Sequence, residues 1–202
     1  MMARRALSDM QLYTVQGQRL YVSQVERDRF VSALSDAGPG IRLLGLTLVW
    51  SGCRLSEALA LDAARFDRGA GCLVIESLKK RRAGVFRAVP VPDVLFDDLQ
   101  KYRNGARDNA PLFPMHRATA HRHLSALMRR AGVRGPQASA KGLRHGFGVA
   151  AIQVGVPLNL VQKWLGHANI RTTAIYANAV GEEERQIASL MWPSAVRPCV
   201  QS

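Results

Sequence analysis

Two arginines in apolar company constrain this chain more than any other feature. Arg54 stands in Trp50-Ser51-Gly52-Cys53-Arg54-Leu55-Ser56-Glu57-Ala58-Leu59. Arg144 stands in Lys141-Gly142-Leu143-Arg144-His145, which runs on into the small-residue stretch Gly146-Phe147-Gly148-Val149-Ala150-Ala151. Both stretches read as helices suited to close packing. A guanidinium keeps its charge at any ordinary pH, and taking an unpaired cation out of water is costly. A fold that buries these helices must therefore give each arginine an anion. For Arg54 an ordinary answer is at hand in Glu57, three residues on, as in many helical ion pairs. The reading favoured here is that the arginines meet phosphate, with Glu57 orienting the local donors.

The rest of the composition agrees. A formal charge of +13 on 202 residues makes a polyanion the expected partner. Charge alone also suits a ribosomal or membrane-surface protein; arginines inside helices favour an enzyme acting on DNA. Cys53, Cys72 and Cys199 are odd in number and lack metal-ligand spacing, which argues against a disulfide framework or a metal site and for a reducing, intracellular compartment. Residues 1–15 are basic and polar without the apolar centre of a signal peptide, and the longest apolar stretch, near residues 43–50, is too short to span a bilayer. A soluble cytoplasmic protein without a membrane partner is expected.

Along the chain, residues 18–22 read as a short strand. Ser23-Gln24-Val25-Glu26 has the form of a capping box opening a helix to about residue 36, ended by Gly38-Pro39-Gly40. Helices are expected over 41–50 and from about Arg54, the latter with Leu55, Ala58, Leu59 and Leu61 on its apolar face. The runs 72–77 and 86–91 are β-branched and apolar and flank Leu78-Lys79-Lys80-Arg81-Arg82-Ala83-Gly84-Val85, a hairpin with a long basic tip. Further helices are expected over 92–103, 118–131, 142–154, 158–165, 171–177 and 182–191. The fold class is mainly α with a small antiparallel β-sheet, an α+β domain over 20–180. A basic N-terminal arm (1–19) precedes it and a C-terminal helix or tail (181–202) follows.

A phosphodiester under attack concentrates negative charge on its non-bridging oxygens, so a catalyst needs bidentate cations, a further hydrogen-bond donor and a nucleophile. Arg54, Arg144, His167 and Tyr176 are those residue types, the last two within Leu165-Gly166-His167-Ala168-Asn169-Ile170-Arg171-Thr172-Thr173-Ala174-Ile175-Tyr176. Taken alone, a tyrosine on a short helix is usually core or surface. In order and spacing, however, Gly52-Cys53-Arg54-Leu55-Ser56-Glu57, Lys141-Gly142-Leu143-Arg144, Leu165-Gly166-His167 and Tyr176 resemble the motifs of the tyrosine recombinase (phage integrase) catalytic domain. Those motifs are Gly-x-Arg-x-x-Glu, His-x-x-Arg, Leu-Gly-His and a nucleophilic Tyr.

The resemblance implies DNA strand cleavage and religation through a 3′-phosphotyrosyl bond, without a cofactor. Arg54, Arg144 and His167 would stabilise the transition state and Tyr176 would attack. Phenol ionises near pH 10, so a tyrosyl phosphoester remains a good leaving group and stores the energy of the broken strand. The family's catalytic lysine lies on the hairpin. Counted from the end of the preceding strand it is Lys79, protonating the departing 5′ oxygen, with Lys80 the alternative. Lys80, Arg81 and Arg82 would otherwise grip backbone phosphates, as would Arg122, Arg129 and Arg130 on the basic helix. His145 reads as a satisfied core histidine behind the contact residues rather than as a catalyst. Lys141 stands where the family has histidine. It is either an electrostatic donor or, if Arg54 and Arg144 depress its pKa, a general base.

Family members also resemble a C-shaped clamp with a separate N-terminal domain, whereas only about twenty residues precede the pattern here, too few for an independent core. The expectation is a minimal recombinase relying on cooperative assembly or an accessory DNA-binding protein, or a fragment of a longer product. In the family, paired protomers form a tetramer on two double-stranded DNA sites by passing a C-terminal segment to a neighbour. Ile187, Leu190, Met191 and Trp192, at helical spacing, suit that exchange or packing in cis. Two other readings remain open: a type IB topoisomerase-like relaxing enzyme, and a non-catalytic DNA-binding regulator derived from a recombinase.

Overall fold

The computed structural model describes residues 11–78, 84–103 and 110–178, together with Ala188 and Met191. Helix α1 (Gln24–Ala33) starts at the expected capping box: Glu26 N–H donates to Ser23 Oγ, and the Glu26 carboxylate accepts from Ser23 N–H at 2.9 Å. Its end tightens into a 3₁₀ turn, Leu34–Asp36. Helix α2 (Pro39–Ser51) is buried continuously from Leu43 to Val49 and is the axis of the domain. It packs against α1, the short α3 (Leu55–Leu59), α4 (Asp93–Arg103), α5 (Arg117–Arg130) and α6 (Ala140–Gln153). A helix enclosed on all sides must be apolar all round. Its two hydroxyls comply by turning inward, Thr47 Oγ1 donating to the Leu43 carbonyl at 2.8 Å and Ser51 Oγ to that of Thr47 at 2.6 Å.

Three antiparallel strands, β1 (Phe66–Asp67), β2 (Cys72–Glu76) and β3 (Phe86–Pro90), lie in the order β1-β2-β3. Leu73 faces Val89 and Ile75 faces Arg87 across the β2–β3 ladder. The main core runs from Phe30 and Leu34 through Leu44, Leu48, Leu73 and Leu95 to Leu124 and Leu143. A second cluster gathers Leu12, Tyr21, Val149, Val161, Leu165 and Tyr176 around α6 and α7 (Leu158–Leu165). The chain then forms α8 (Arg171–Ala174) and a 3₁₀ turn, Ile175–Asn178.

The mainly helical fold with a small antiparallel sheet is as expected, and α7 has the expected bounds. The strand expected over residues 18–22 is not formed. Gly17, at φ +74°, turns the chain so that only one bridge, Tyr13 to Arg19, is made, and Tyr21 and Val22 bury their side chains. Leu12 is buried too, so residues 12–19 of the expected arm fold back on the domain rather than trailing from it. The helix expected over 171–177 gives way to a 3₁₀ turn at Ile175. The tail helix expected over 182–191 lies outside the described residues, apart from Ala188 and Met191. Among the described residues no helix is long and apolar enough to cross a membrane.

Glycines bring α6 against its neighbours. A Cβ on Gly142 would stand 1.9 Å from the Gln137 carbonyl oxygen, and one on Gly146 would stand 2.3 Å from that of Val22. Both are backbone atoms, which cannot step aside. A third glycine, Gly148, faces the Tyr176 ring, with 2.6–2.7 Å from its Cβ position to Cε2, Cδ2 and Cζ.

Candidate active site

Helix α2 ends at Gly52, in the left-handed conformation (φ +60°), where a Cβ would meet the Phe147 ring at 2.5 Å. The reversal places Arg54 at the N-cap of α3, the helix start expected there. Glu57 then does two jobs. It accepts from the Arg54 backbone N–H at 2.9 Å, closing the open end of α3, and binds Arg54 Nη1 at 2.9 Å. Its Oε2 also binds Arg87 Nη2 at 2.6 Å. Burial pushes the Glu57 carboxyl up, but the Arg87 and Arg54 guanidiniums more than offset this and leave it below the usual carboxylate range.

Arg144 is buried and forms no salt bridge with a carboxylate among the described residues. Its Nη1 donates to the Gly52 carbonyl at 2.9 Å and its Nη2 to the Leu165 carbonyl at 2.6 Å, the ends of α2 and α7. Carbonyls in a last helical turn lack intrahelical donors and carry the negative end of the helix dipole, so two helix termini stand in for the missing anion. The compensation is incomplete: burial, with Arg54 beside it, pulls the Arg144 guanidinium down to about 10. A phosphate arriving here would relieve that strain on the charge.

Arg54, Arg144, Lys141, His145 and His167 open onto one cleft of about 350 Å³. The first turn of α6 also faces it, through Ser139, Ala140 and Lys141, with Ser139 Oγ capping Gly142 N–H at 3.1 Å. The amide end of this helix adds to the cleft's preference for an anion. His167 is oriented by Thr173 of α8, whose hydroxyl lies 3.0 Å from Nδ1. Tyr176 is 1% exposed and stands behind the cleft wall. Its ring is near-parallel to that of His167, centroids 6.1 Å apart, and its hydroxyl lies 3.2 Å from His145 Nδ1.

The structure thus brings together Arg54, Glu57, Lys141, Arg144, His145, His167 and Tyr176 from four separated segments. Arg122 and Arg129 line an adjoining groove that shares His121 with the cleft. Arg130 turns the other way and pairs with Asp36 at 3.0 Å, both exposed, so it is set apart from the other basic residues. Lys79, Lys80, Arg81 and Arg82 lie outside the described residues. The base of their hairpin is held by Ser77 N–H donating to the Val85 carbonyl at 2.8 Å and Gly84 N–H donating to Glu76 Oε1 at 2.8 Å.

Sequence reasoning missed Arg87, and with it Arg117 and His121, which enter the cleft one turn apart on α5. Arg87 had a signal. In β3 the side chains alternate, and Arg87 shares the inward phase with Val89. A cation at an inward strand position demands partners, and Arg87 finds Glu57, the Trp164 carbonyl (2.7 Å) and Ser77 Oγ (3.1 Å).

Gly148 sets where Tyr176 rests, and Gly148→Ala tests this. The added methyl occupies ring space, so the variant is expected to expose the phenol to tetranitromethane, with nitration at Tyr176 appearing in peptide maps. In the unsubstituted protein that residue, 1% exposed, is expected to resist labelling. Equal resistance in both proteins would contradict the close approach.

Residues 19–183 match the phage integrase family. The tyrosine recombinase XerD of Brucella abortus biovar 1 is 33% identical over 181 residues, covering 79% of this chain and 57% of that protein. XerD of Caulobacter vibrioides is 29% identical over 187 residues, 84% of this chain and 60% of the relative. The chain therefore spans less than two thirds of the length of these relatives. Among solved structures, a post-cleavage complex of the XerH site-specific recombinase with palindromic difH substrate superposes with a TM-score of 0.74 at 25% identity, over 89% of this chain and 55% of that one. The catalytic domain of bacteriophage HP1 integrase shares the fold, with a TM-score of 0.64 at 21% identity over 89% of this chain and 98% of that domain. With the family matched over most of its length, this chain belongs to the phage integrase family.

Proposed function

We infer that the chain carries the catalytic domain of a site-specific DNA recombinase, which cleaves and rejoins strands through a 3′-phosphotyrosyl intermediate. The observation that carries this is the convergence of Arg54, Lys141, Arg144 and His167 on one cleft, with the Tyr176 hydroxyl held just behind it. The cations bind the non-bridging oxygens of the scissile phosphate, where charge grows in the transition state. Tyr176 swings forward and attacks phosphorus. The bridging 5′ oxygen departs with a proton from the hairpin lysine, Lys79 or its neighbour Lys80.

DNA lies along the cleft and the groove beside it, with Arg117, Arg122 and Arg129 gripping backbone phosphates, and Lys80, Arg81 and Arg82 of the hairpin tip adding to the grip. Assembly on paired sites, as a tetramer of this chain with or without an accessory protein, completes the exchange. Relatives of the fold include a lambda integrase dimer bound to a COC′ core site and XerH bound to difH, in keeping with that arrangement.

The test is a pool of nicked duplexes with a randomised core, incubated with the protein and denatured. A protein–DNA adduct stable to denaturant supports the reading, and its absence with every duplex overturns it. Binding should also weaken steeply with salt, log affinity falling against log salt by about 0.9 per phosphate contact on duplex DNA. A flat response in filter binding between low and moderate salt would contradict a phosphate-dominated interface.

A further inference from the structure

We propose that His145, and not Lys141, accepts the Tyr176 proton during attack; this rests on the strand-cleaving reading above. His145 Nδ1 lies 3.2 Å from the Tyr176 hydroxyl, the rings tilted by 57° with centroids 5.8 Å apart. His145 also borders the cleft, so its ring stands between the buried nucleophile and the place where phosphate binds. Lys141 precedes it by four residues, one helical turn along the same face of α6. Lys141 is exposed in the first turn, while His145 is 3% exposed and reaches Tyr176. The imidazole that the family places at the position of Lys141 is thus available one turn further into the domain.

Charged and titratable groups from several elements surround His145. Lys141 and Arg144 on its own helix, Arg54 at the start of α3 and Arg117 on α5 share the cleft with His145. So do His121 of α5 and His167 beyond α7. On the far side of α6, α1 brings Glu26, and Tyr21 belongs to the cluster that holds Tyr176. In the tautomer that carries its proton on Nε2, Nδ1 is the acceptor for the phenol hydroxyl 3.2 Å away.

The step balances. The Oη–H bond of Tyr176 breaks and its proton passes to Nδ1; Oη bonds to phosphorus; the P–O5′ bond breaks and O5′ leaves with a proton from the hairpin lysine. The imidazolium so formed faces a phosphoryl group carrying negative charge. In religation the 5′ hydroxyl gives its proton back to the hairpin lysine as O5′ bonds to phosphorus, the P–Oη bond breaks, and His145 returns its proton to the departing phenolate.

The test is single-turnover adduct formation against pH on a nicked duplex whose scissile 5′ oxygen is replaced by sulfur. A thiolate leaves without a proton, so any remaining pH dependence belongs to the base. The unsubstituted protein is expected to rise with pH to a plateau as its base loses its proton. His145→Asn, which keeps an acceptor but cannot titrate, is expected to lose that rise and fall by about 10²–10⁴ on the plateau. Lys141→Ala is expected to slow cleavage equally at every pH and keep the rise.

A His145→Asn variant that retains the rise, or cleaves as fast as or faster than the parent, overturns the proposal; in the last case the contact is only a latch. Loss of the rise in Lys141→Ala overturns it as well, and this exposed position keeps the test open should His145→Asn fail to fold. Failure of the parent to form any adduct would instead overturn the strand-cleaving reading beneath it.

Discussion

Tyr176→Phe is expected to abolish the covalent protein–DNA product while leaving fold and DNA affinity close to those of the parent. The ring keeps its place against Gly148 and His167, and only the hydroxyl is lost. Structurally this removes one hydrogen bond, to His145, worth about 1 kcal/mol net. Chemically it removes the hydroxyl proposed to join phosphorus. The chain's other tyrosines are Tyr13, Tyr21 and Tyr102. Tyr21 is poorly suited to the task, because burial and Tyr13 beside it push its phenol up to about 12. Denaturing gels of nicked-duplex reactions give the answer, and undiminished adduct in the variant would remove Tyr176 from the mechanism.

Glu57→Gln is expected to have the largest effect on stability of any single change at the site. Its carboxylate is wholly buried and shared between Arg54 and Arg87, the latter itself almost inaccessible. The amide leaves two guanidiniums without a counter-charge, a loss on the order of 3–5 kcal/mol. Set against a typical domain stability of about 5–15 kcal/mol, that is a large fraction. Because Arg54 loses its brace, cleavage by whatever protein folds should also fall, by about 10–100-fold.

The same group makes stability depend on acid. The folded Glu57 carboxyl ionises below its unfolded value, so its contribution is fully present above the ordinary carboxylate range. It disappears as pH falls through the folded pKa. Urea titrations at neutral and acidic pH should show this loss in the parent and a smaller one in Glu57→Gln. Equal stability of the two proteins at neutral pH would contradict the shared ion pair.

What the sequence revealed was mostly local. The Ser23–Glu26 reciprocal cap and the bounds of α7 depend on neighbours within a turn. Motif spacing identified Arg54, Glu57, Lys141, Arg144, His167 and Tyr176, and all of them converge. What escaped was set by distant partners. Arg87 lies 77 positions from the carbonyl it grips, and its strand reads as ordinary apolar β until the inward phase is counted. His145 read as a core histidine because its burial was legible but the hydroxyl beside it, 31 residues on, was not. Residues 18–22 have strand-like composition, yet their pairing with residues 12–14 stops at one bridge, and Val22 N–H donates to the Gly142 carbonyl at 3.0 Å.

The glycines of α6 have a mechanical consequence. At Gly142 and Gly146 the helix is wedged against backbone on two sides, and Arg144 between them ties it to the ends of α2 and α7. Such a rod has almost no freedom to slide or roll, so the cations it carries hold their spacing whatever happens around them. At Gly148, by contrast, the helix is met by a side chain from the 3₁₀ turn that follows α8, which can leave without disturbing any backbone. One helix therefore serves as a fixed gauge along its first half and as a parking place along its second. On the proposed mechanism, departure of Tyr176 toward a strand would change the second without altering the first, and the phosphate would meet the same charged surface before, during and after that excursion.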